Sequence, residues 1–151
     1  MTMADRPPPR QPAARTGYRL DEQIGFLLRI AMQRHTSIFM SQIIRGLTQT
    51  QFAALAKLRE VGPCSQNQLG RLIFLDAATT KGVVDRLAAR GFITVRADAN
   101  DRRRRAIALT QSGSAAAEAA TKVARRITRD TLKPLTAAER QSVARLLKKL
   151  T

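Results

Sequence analysis

The sequence predicts a mainly α-helical protein carrying one small β-hairpin. Three observations predict it. Apolar residues recur at spacings of three and four along most of the chain. Hydroxyl or acidic residues suited to capping helix N-termini stand before several of those runs. Residues 92–109 abandon the helical period for β-branched and alternating residues on either side of a polar turn. The 151 residues are one ordinary domain's worth, and 44% of them are hydrophobic, enough for a real core. Aromatics are 4% and tryptophan is absent, so that core must be built from Leu, Ile, Val and Ala.

The first element runs over residues 20–44, where Leu20, Ile24, Leu27, Leu28, Ala31, Ile38 and Phe39 follow helical spacing; Gly46 lies near its end. Thr48-Gln49-Thr50-Gln51, Ser65-Gln66-Asn67-Gln68 and Thr136-Ala137-Ala138-Glu139 each fit the capping box, in which a hydroxyl takes one free N–H and the later side chain reaches back for another. The helix after Thr48 turns Phe52, Leu55, Ala56 and Leu58 inward and stops at Gly62-Pro63. A short helix after Ser65 carries Leu69, Leu72 and Ile73. Asp76 caps the next helix, with Thr80, Val83, Val84 and Leu87 on one face, Thr79, Lys81, Gly82, Asp85 and Arg86 on the other, and Gly91 at its end. Strands over residues 92–95 and 106–109 flank a turn at residues 98–101. An Ala-rich helix spans residues 112–132, with Ala116, Ala120, Val123 and Ile127 on one side. After Pro134 a last helix is striped by Val143, Leu146, Leu147 and Leu150.

Charge narrows the function. Lys and Arg total 27 against 11 Asp and Glu, a net charge of +16 that attracts polyanions. Nucleic acid is the leading partner class and an anionic membrane surface the second. No apolar run approaches the ~18 residues of a membrane-spanning helix. Residues 1–17, rich in Pro and Arg without an apolar segment, read as a disordered basic arm rather than a secretory signal, leaving residues 18–151 as a single domain. The single cysteine, Cys64, excludes an internal disulfide. A cytoplasmic location is expected. One His and one Cys give no zinc site or Cys–His pair, and no Gly-rich phosphate loop is present. No enzyme activity, cofactor or metal is expected.

The middle of the chain, residues 48–110, therefore reads helix, short helix, amphipathic helix, basic hairpin: a winged helix-turn-helix, the arrangement that lays its third helix in a major groove. A run such as Arg102, Arg103, Arg104 and Arg105 is commonly a solvated loop tip. Following a groove-entering helix in so basic a chain, it fits phosphates and a narrow minor groove instead. The candidate DNA contacts are Ser65, Gln66, Asn67, Gln68 and Arg71 from the short helix, Thr79, Thr80, Lys81 and Arg86 from the reading helix, and Asp101 with the four arginines from the wing. An RNA-binding surface is disfavoured because the hairpin lacks stacking aromatics; an activator or a non-sensing architectural DNA binder stands as the alternative.

The stretches "SQNQLGRLI", "DAATTKGVVDRLAARGFI" and "DANDRRRRAIALTQSG" resemble the MarR family of transcriptional regulators, over about residues 20–150. The last is the most specific: an acidic wing start, Asp-Arg-Arg, then Leu-Thr-x-x-Gly before a long helix. The resemblance implies a repressor acting as a homodimer interlocked through its N- and C-terminal helices (residues 20–45 and 112–150). It also implies a palindromic operator of double-stranded DNA and a small anionic or phenolic ligand that releases it. Asp101 and Arg103 match the family's wing pair, in which the carboxylate braces the arginine entering the minor groove, and Thr79 matches a groove-facing position. Gly82 departs from the pattern, where a larger side chain is frequent.

The end helices carry apolar stripes that need a partner, met either within the chain or by dimerisation, and Ala116, Ala119, Ala120 and Ala124 permit close helix packing. His35, the single histidine, breaks the stripe of the first helix. It is either a hydrogen-bonded structural residue or a ligand contact. With Arg19, Arg29 and Arg34 available for an anion and Phe26 and Phe39 for a ring, it makes a candidate effector site. "LDEQIGFLLRIAMQRHTSIF" is similar to regulators of aromatic-acid catabolism, which implies an aromatic acid or its coenzyme A thioester as effector. Cys64, just before a helix N-terminus, is either thiolate-prone or an inert small residue.

Overall fold

The computed structural model describes residues 17–151, so the expected basic arm lies, except for Gly17, outside the described residues. Two units are distinguished, one ending at Gln33 and the other running from Arg34 to Thr151. The described residues of the first are a 3-10 turn, Leu20–Glu22, and the start of helix α1, Ile24–Gln42. The expected helix from residue 20 is broken because Gln23 is extended, at φ −83° and ψ 129°. Ile24, Leu27, Leu28, Ile30 and Met32 are all exposed.

The second unit holds the rest of α1 followed by α2 (Gln49–Val61), α3 (Gln66–Leu72), α4 (Ala77–Ala89), β1 (Ile93–Ala97), β2 (Arg105–Leu109), α5 (Gln111–Thr131) and α6 (Ala137–Leu147). Helix starts follow the caps. Thr48 and Gln51 close a full capping box, as do Thr136 and Glu139. At Ser65 only half of the box forms: its hydroxyl accepts from Gln68 N–H at 3.1 Å. Helix α2 ends at Gly62, whose φ of +79° is open to glycine without strain.

Strands β1 and β2 pair antiparallel, Ile93 opposite Leu109 and Ala97 opposite Arg105. On the other edge of β2, Ile107 exchanges two backbone hydrogen bonds with Cys64. The expected alternation of buried and exposed residues along this strand fails. The strand is covered on both faces, and Ala106, Ile107 and Ala108 are all buried. In β1 only Ile93 is buried, and the hairpin projects beyond it.

One cluster gathers Leu47, Leu55, Leu58, Leu69, Val83, Leu87, Phe92 and Ile107, and it does not close at residue 110. Ala116, Ala117 and Ala120 of α5 belong to it. The root of α5 is fitted closely. A β-carbon built on Gly113 would lie 1.8 Å from the Phe92 carbonyl oxygen, so no other residue fits there. Thr110 caps α5 and donates its hydroxyl to the Gly91 carbonyl at 2.6 Å. This geometry gives the Leu-Thr-x-x-Gly pattern its physical reason. Helix α6 buries none of its residues, and Leu146 and Leu147 are exposed, as is Leu150 just beyond it.

Candidate nucleic-acid interface

Helices α3 and α4 meet at Gly70 and Thr80, both buried. Thr80 is 1% exposed and donates its hydroxyl to the Asp76 carbonyl at 2.7 Å. The expectation that Thr80 touches DNA is therefore corrected: it faces the core one position along from the outward Thr79. Asp76 caps α4 by accepting from Thr79 N–H and from the Thr79 hydroxyl, each at 2.8 Å. Those bonds, the backbone one foremost, hold its carboxyl below the ordinary aspartate range.

Thr79, Lys81 and Arg86 are exposed on the outer side of α4. Lys81 is engaged by Asp85 at 2.5 Å. The guanidinium of Arg86 lies along the helix over Gly82, where a β-carbon would meet it at 3.2 Å. The missing side chain at 82 thus makes room for the one at 86. On α3, Asn67, Gln68 and Arg71 are exposed while Ser65 and Gln66 are half-buried. An open cleft of about 350 Å³ runs between the two helices, walled by Gln66, Asn67, Gly70, Arg71, Leu75, Ala77 and Thr80.

The wing turn is built by its two aspartates. Asp98 accepts from the backbone N–H groups of Asn100 and Asp101 at 2.7 and 3.1 Å. Asp101 accepts from Arg103 N–H at 2.9 Å and pairs with Arg104 Nε at 3.6 Å. Asp101 thus meets Arg103 through its backbone N–H and reaches with its side-chain pairing to Arg104. Arg102 and Arg103 are exposed and make no ion pair with any described residue; Arg105 belongs to β2 rather than to the tip. A turn shaped by two carboxylates that engage backbone N–H groups and Arg104, with Arg102 and Arg103 beside it, presents net positive charge to a polyanion.

The candidate effector residues divide between the units. In the first, Arg19 pairs with Glu22 at 3.3 Å, and Arg29 lies over the Phe26 ring at 5.0 Å. In the second, Arg34 donates to the Thr131 and Asp130 carbonyls at 2.6 and 3.1 Å, tying off the end of α5. His35 Nδ1 is 2.9 Å from the Thr131 hydroxyl. Phe39 is buried at 3% exposure and packs on Phe52, so its ring serves the core. Burial pushes the Cys64 thiol up, which favours the inert reading of that residue.

Two positions escaped the sequence reading. Arg90 donates to Gln51 Oε1 and to the Arg45 carbonyl while stacking on Phe92, tying the end of α4 to the α1–α2 turn. Phe74, in the turn between α3 and α4, is exposed at a positive φ. An apolar residue between Ile73 and the Asp76 cap is indistinguishable by pattern from a buried one.

Three helices joined to a two-stranded basic hairpin define the winged helix-turn-helix class of DNA-binding proteins. The MarR family model matches residues 47–104, from the start of the core through the wing. The chain is 41% identical over 144 residues to the HTH-type transcriptional repressor NicR of Pseudomonas putida, covering 95% of this chain and 91% of that protein. The chain belongs to the MarR family of transcriptional regulators. Its fold superposes with a TM-score of 0.84 on a probable transcriptional regulator from Pseudomonas aeruginosa, at 50% identity, covering 88% of this chain and 100% of that one. It superposes with a TM-score of 0.83 on Bordetella bronchiseptica BpsR, a protein whose DNA binding is regulated by 6-hydroxynicotinic acid, at 40% identity, covering 88% of this chain and 96% of that one. Among the described residues no helix is long and apolar enough to cross a membrane.

Proposed function

We propose that the chain is a homodimeric repressor that binds a palindromic operator and leaves it when a small aromatic acid binds. The observation that carries this reading is the wing: two aspartates fix the turn while Arg102 and Arg103 make no ion pair with any described residue, beside a helix whose exposed face offers Thr79, Lys81 and Arg86. In this reading α4 reads bases, while Asn67, Gln68 and Arg71 meet phosphate and the wing arginines grip the adjacent groove. The exposed apolar side chains of α1, α6 and the C-terminus, Leu146, Leu147 and Leu150 among them, support burial against a second copy. NicR's description as a repressor and the response of BpsR to 6-hydroxynicotinic acid support the direction of regulation and the effector class. Arg34 and His35 are the effector contacts we carry forward in the second unit.

The test is selection of duplex DNA from a random library, followed by titration of the selected complex with 6-hydroxynicotinic acid and related aromatic acids. Two inverted half-sites about one helical turn apart, and release by an acid of this class, are expected. A single unpaired site, or an affinity that no such acid changes, would favour the architectural alternative. Thr79 and Lys81 variants should change which operator positions tolerate substitution, whereas Arg71→Ala should weaken every sequence about equally.

A further inference from the structure

Phe74 is held in two ways that the isolated chain gains nothing from. Its φ is +57°, a left-handed conformation that a bulky L-residue adopts only under strain and that glycine adopts freely. Phe74 is 84% exposed, so no packing offsets that strain. The turn itself is firm. Leu75 N–H donates to the Gly70 carbonyl at 2.9 Å and Phe74 N–H to the Arg71 carbonyl at 3.4 Å. The backbone geometry belongs to the helix-turn-helix; the aromatic ring does not. Strain kept at an exposed position points to an intermolecular role.

We infer that Phe74 is a DNA-contacting residue whose ring packs on the apolar deoxyribose edge of the backbone where α4 enters the groove. The inference rests on the reading of α3 and α4 as the DNA-facing helices. Phe74 lies in the turn that joins the two helices: exposed Arg71 precedes it by three residues, and Asp76, the cap of α4, follows it by two. The α3–α4 cleft, which includes Arg71 and Ala77, opens at the same turn. Duplex DNA offers apolar sugar faces between its phosphates, and an aromatic ring beside an arginine suits that alternation. A second copy of the chain is the competing occupant.

An apolar contact has a signature that a cationic one lacks. It releases no counterion, so its loss weakens binding without changing the salt dependence. The experiment uses duplex DNA selected by the wild-type protein. Phe74→Gly should melt at or above the wild-type temperature, because the strain is relieved. It should bind about tenfold more weakly, the usual scale for one large apolar side chain. The slope of log affinity on log salt should be unchanged and the loss uniform across operator variants, while Phe74→Tyr should restore affinity. Wild-type affinity in Phe74→Gly would overturn the inference. So would weakened self-association in sedimentation at unaltered monomer stability, which would give the ring to the second copy. Arg103→Ala is the control. If it weakens binding and Phe74→Gly does not, this inference alone falls; if neither does, the DNA-facing reading falls with it.

Discussion

Gly70 stands directly against Thr80: a β-carbon added at 70 would lie 2.7 Å from the threonine hydroxyl oxygen and 3.2 Å from the Leu75 carbonyl. The contact sets how closely α3 approaches α4, and so the angle at which α4 is presented. Gly70→Ala should overpack it. A cost of about 1–3 kcal/mol is expected in denaturant melts, with weakened operator binding even where the protein remains folded. Unchanged stability and affinity would show that the two helices can separate freely.

Asp101 and Arg103 make a paired prediction. Arg103→Ala should weaken operator binding by about 1–3 kcal/mol and reduce the salt slope by about one unit. Asp101→Ala removes a negative charge, which alone would strengthen binding to DNA. Because Asp101 holds the Arg103 N–H and the Arg104 side chain, we expect weaker binding. Asp101→Asn keeps an acceptor for the backbone bond and should retain most affinity. Tighter binding by Asp101→Ala in fluorescence anisotropy would reduce the wing to a charge cluster.

His35 has a partner within the chain, and that permits a cleaner test than its removal alone. Thr131→Val deletes the hydroxyl that faces Nδ1 and should cost about 0.5–1.5 kcal/mol of stability while leaving the effector dose-response of the operator complex unchanged. His35→Ala should blunt release beyond any loss of melting temperature. If both variants shift only the melting temperature, His35 belongs to the structure and not to the effector site.

Asp76 gives a pH dependence. Its folded carboxyl titrates below the ordinary range, chiefly through the Thr79 N–H. The unfolded chain then binds the proton first as pH falls, so stability is present above the unfolded value of about 3.9 and is lost as pH falls through the folded one. The melting-temperature gap between wild type and Asp76→Ala should be full at neutral pH and close in strong acid. A gap that stays constant down to that range would mean the cap acts without its charge.

The sequence disclosed what depends on local pattern. Thr48, Asp76 and Thr136 each announce a helix start by side-chain chemistry acting over three residues, and Val83, Val84 and Leu87 announce a buried face by spacing. What it withheld depends on distant partners. Ala106 and Ala108 are buried on the face of β2 opposite Ile107, and the far edge of the strand is taken by the Cys64 segment over 40 residues earlier; neither is written in the local pattern. Spacing put Thr80 on the inward face and Thr79 on the outward one, but not the close approach of α3, at Gly70, that takes Thr80 out of reach of a ligand. In the wing the acidic and basic residues were legible, but not which backbone group each carboxylate would take.

The seat of Gly113 on the Phe92 carbonyl has a mechanical consequence. Helix α5 has 21 residues, a rod about 30 Å long at ~1.5 Å per residue. One end is keyed through Thr110 and Gly113 to the chain leaving α4, with no slack for a methyl group. The other end is clasped by Arg34 and His35. A rod seated at one end acts as a pointer: a tilt of about 5° at the keyed root displaces the far tip by about 3 Å on that length. In the proposed reading, a displacement of that size at Arg34 and His35 would reach α4 as a small rotation at the keyed root of α5.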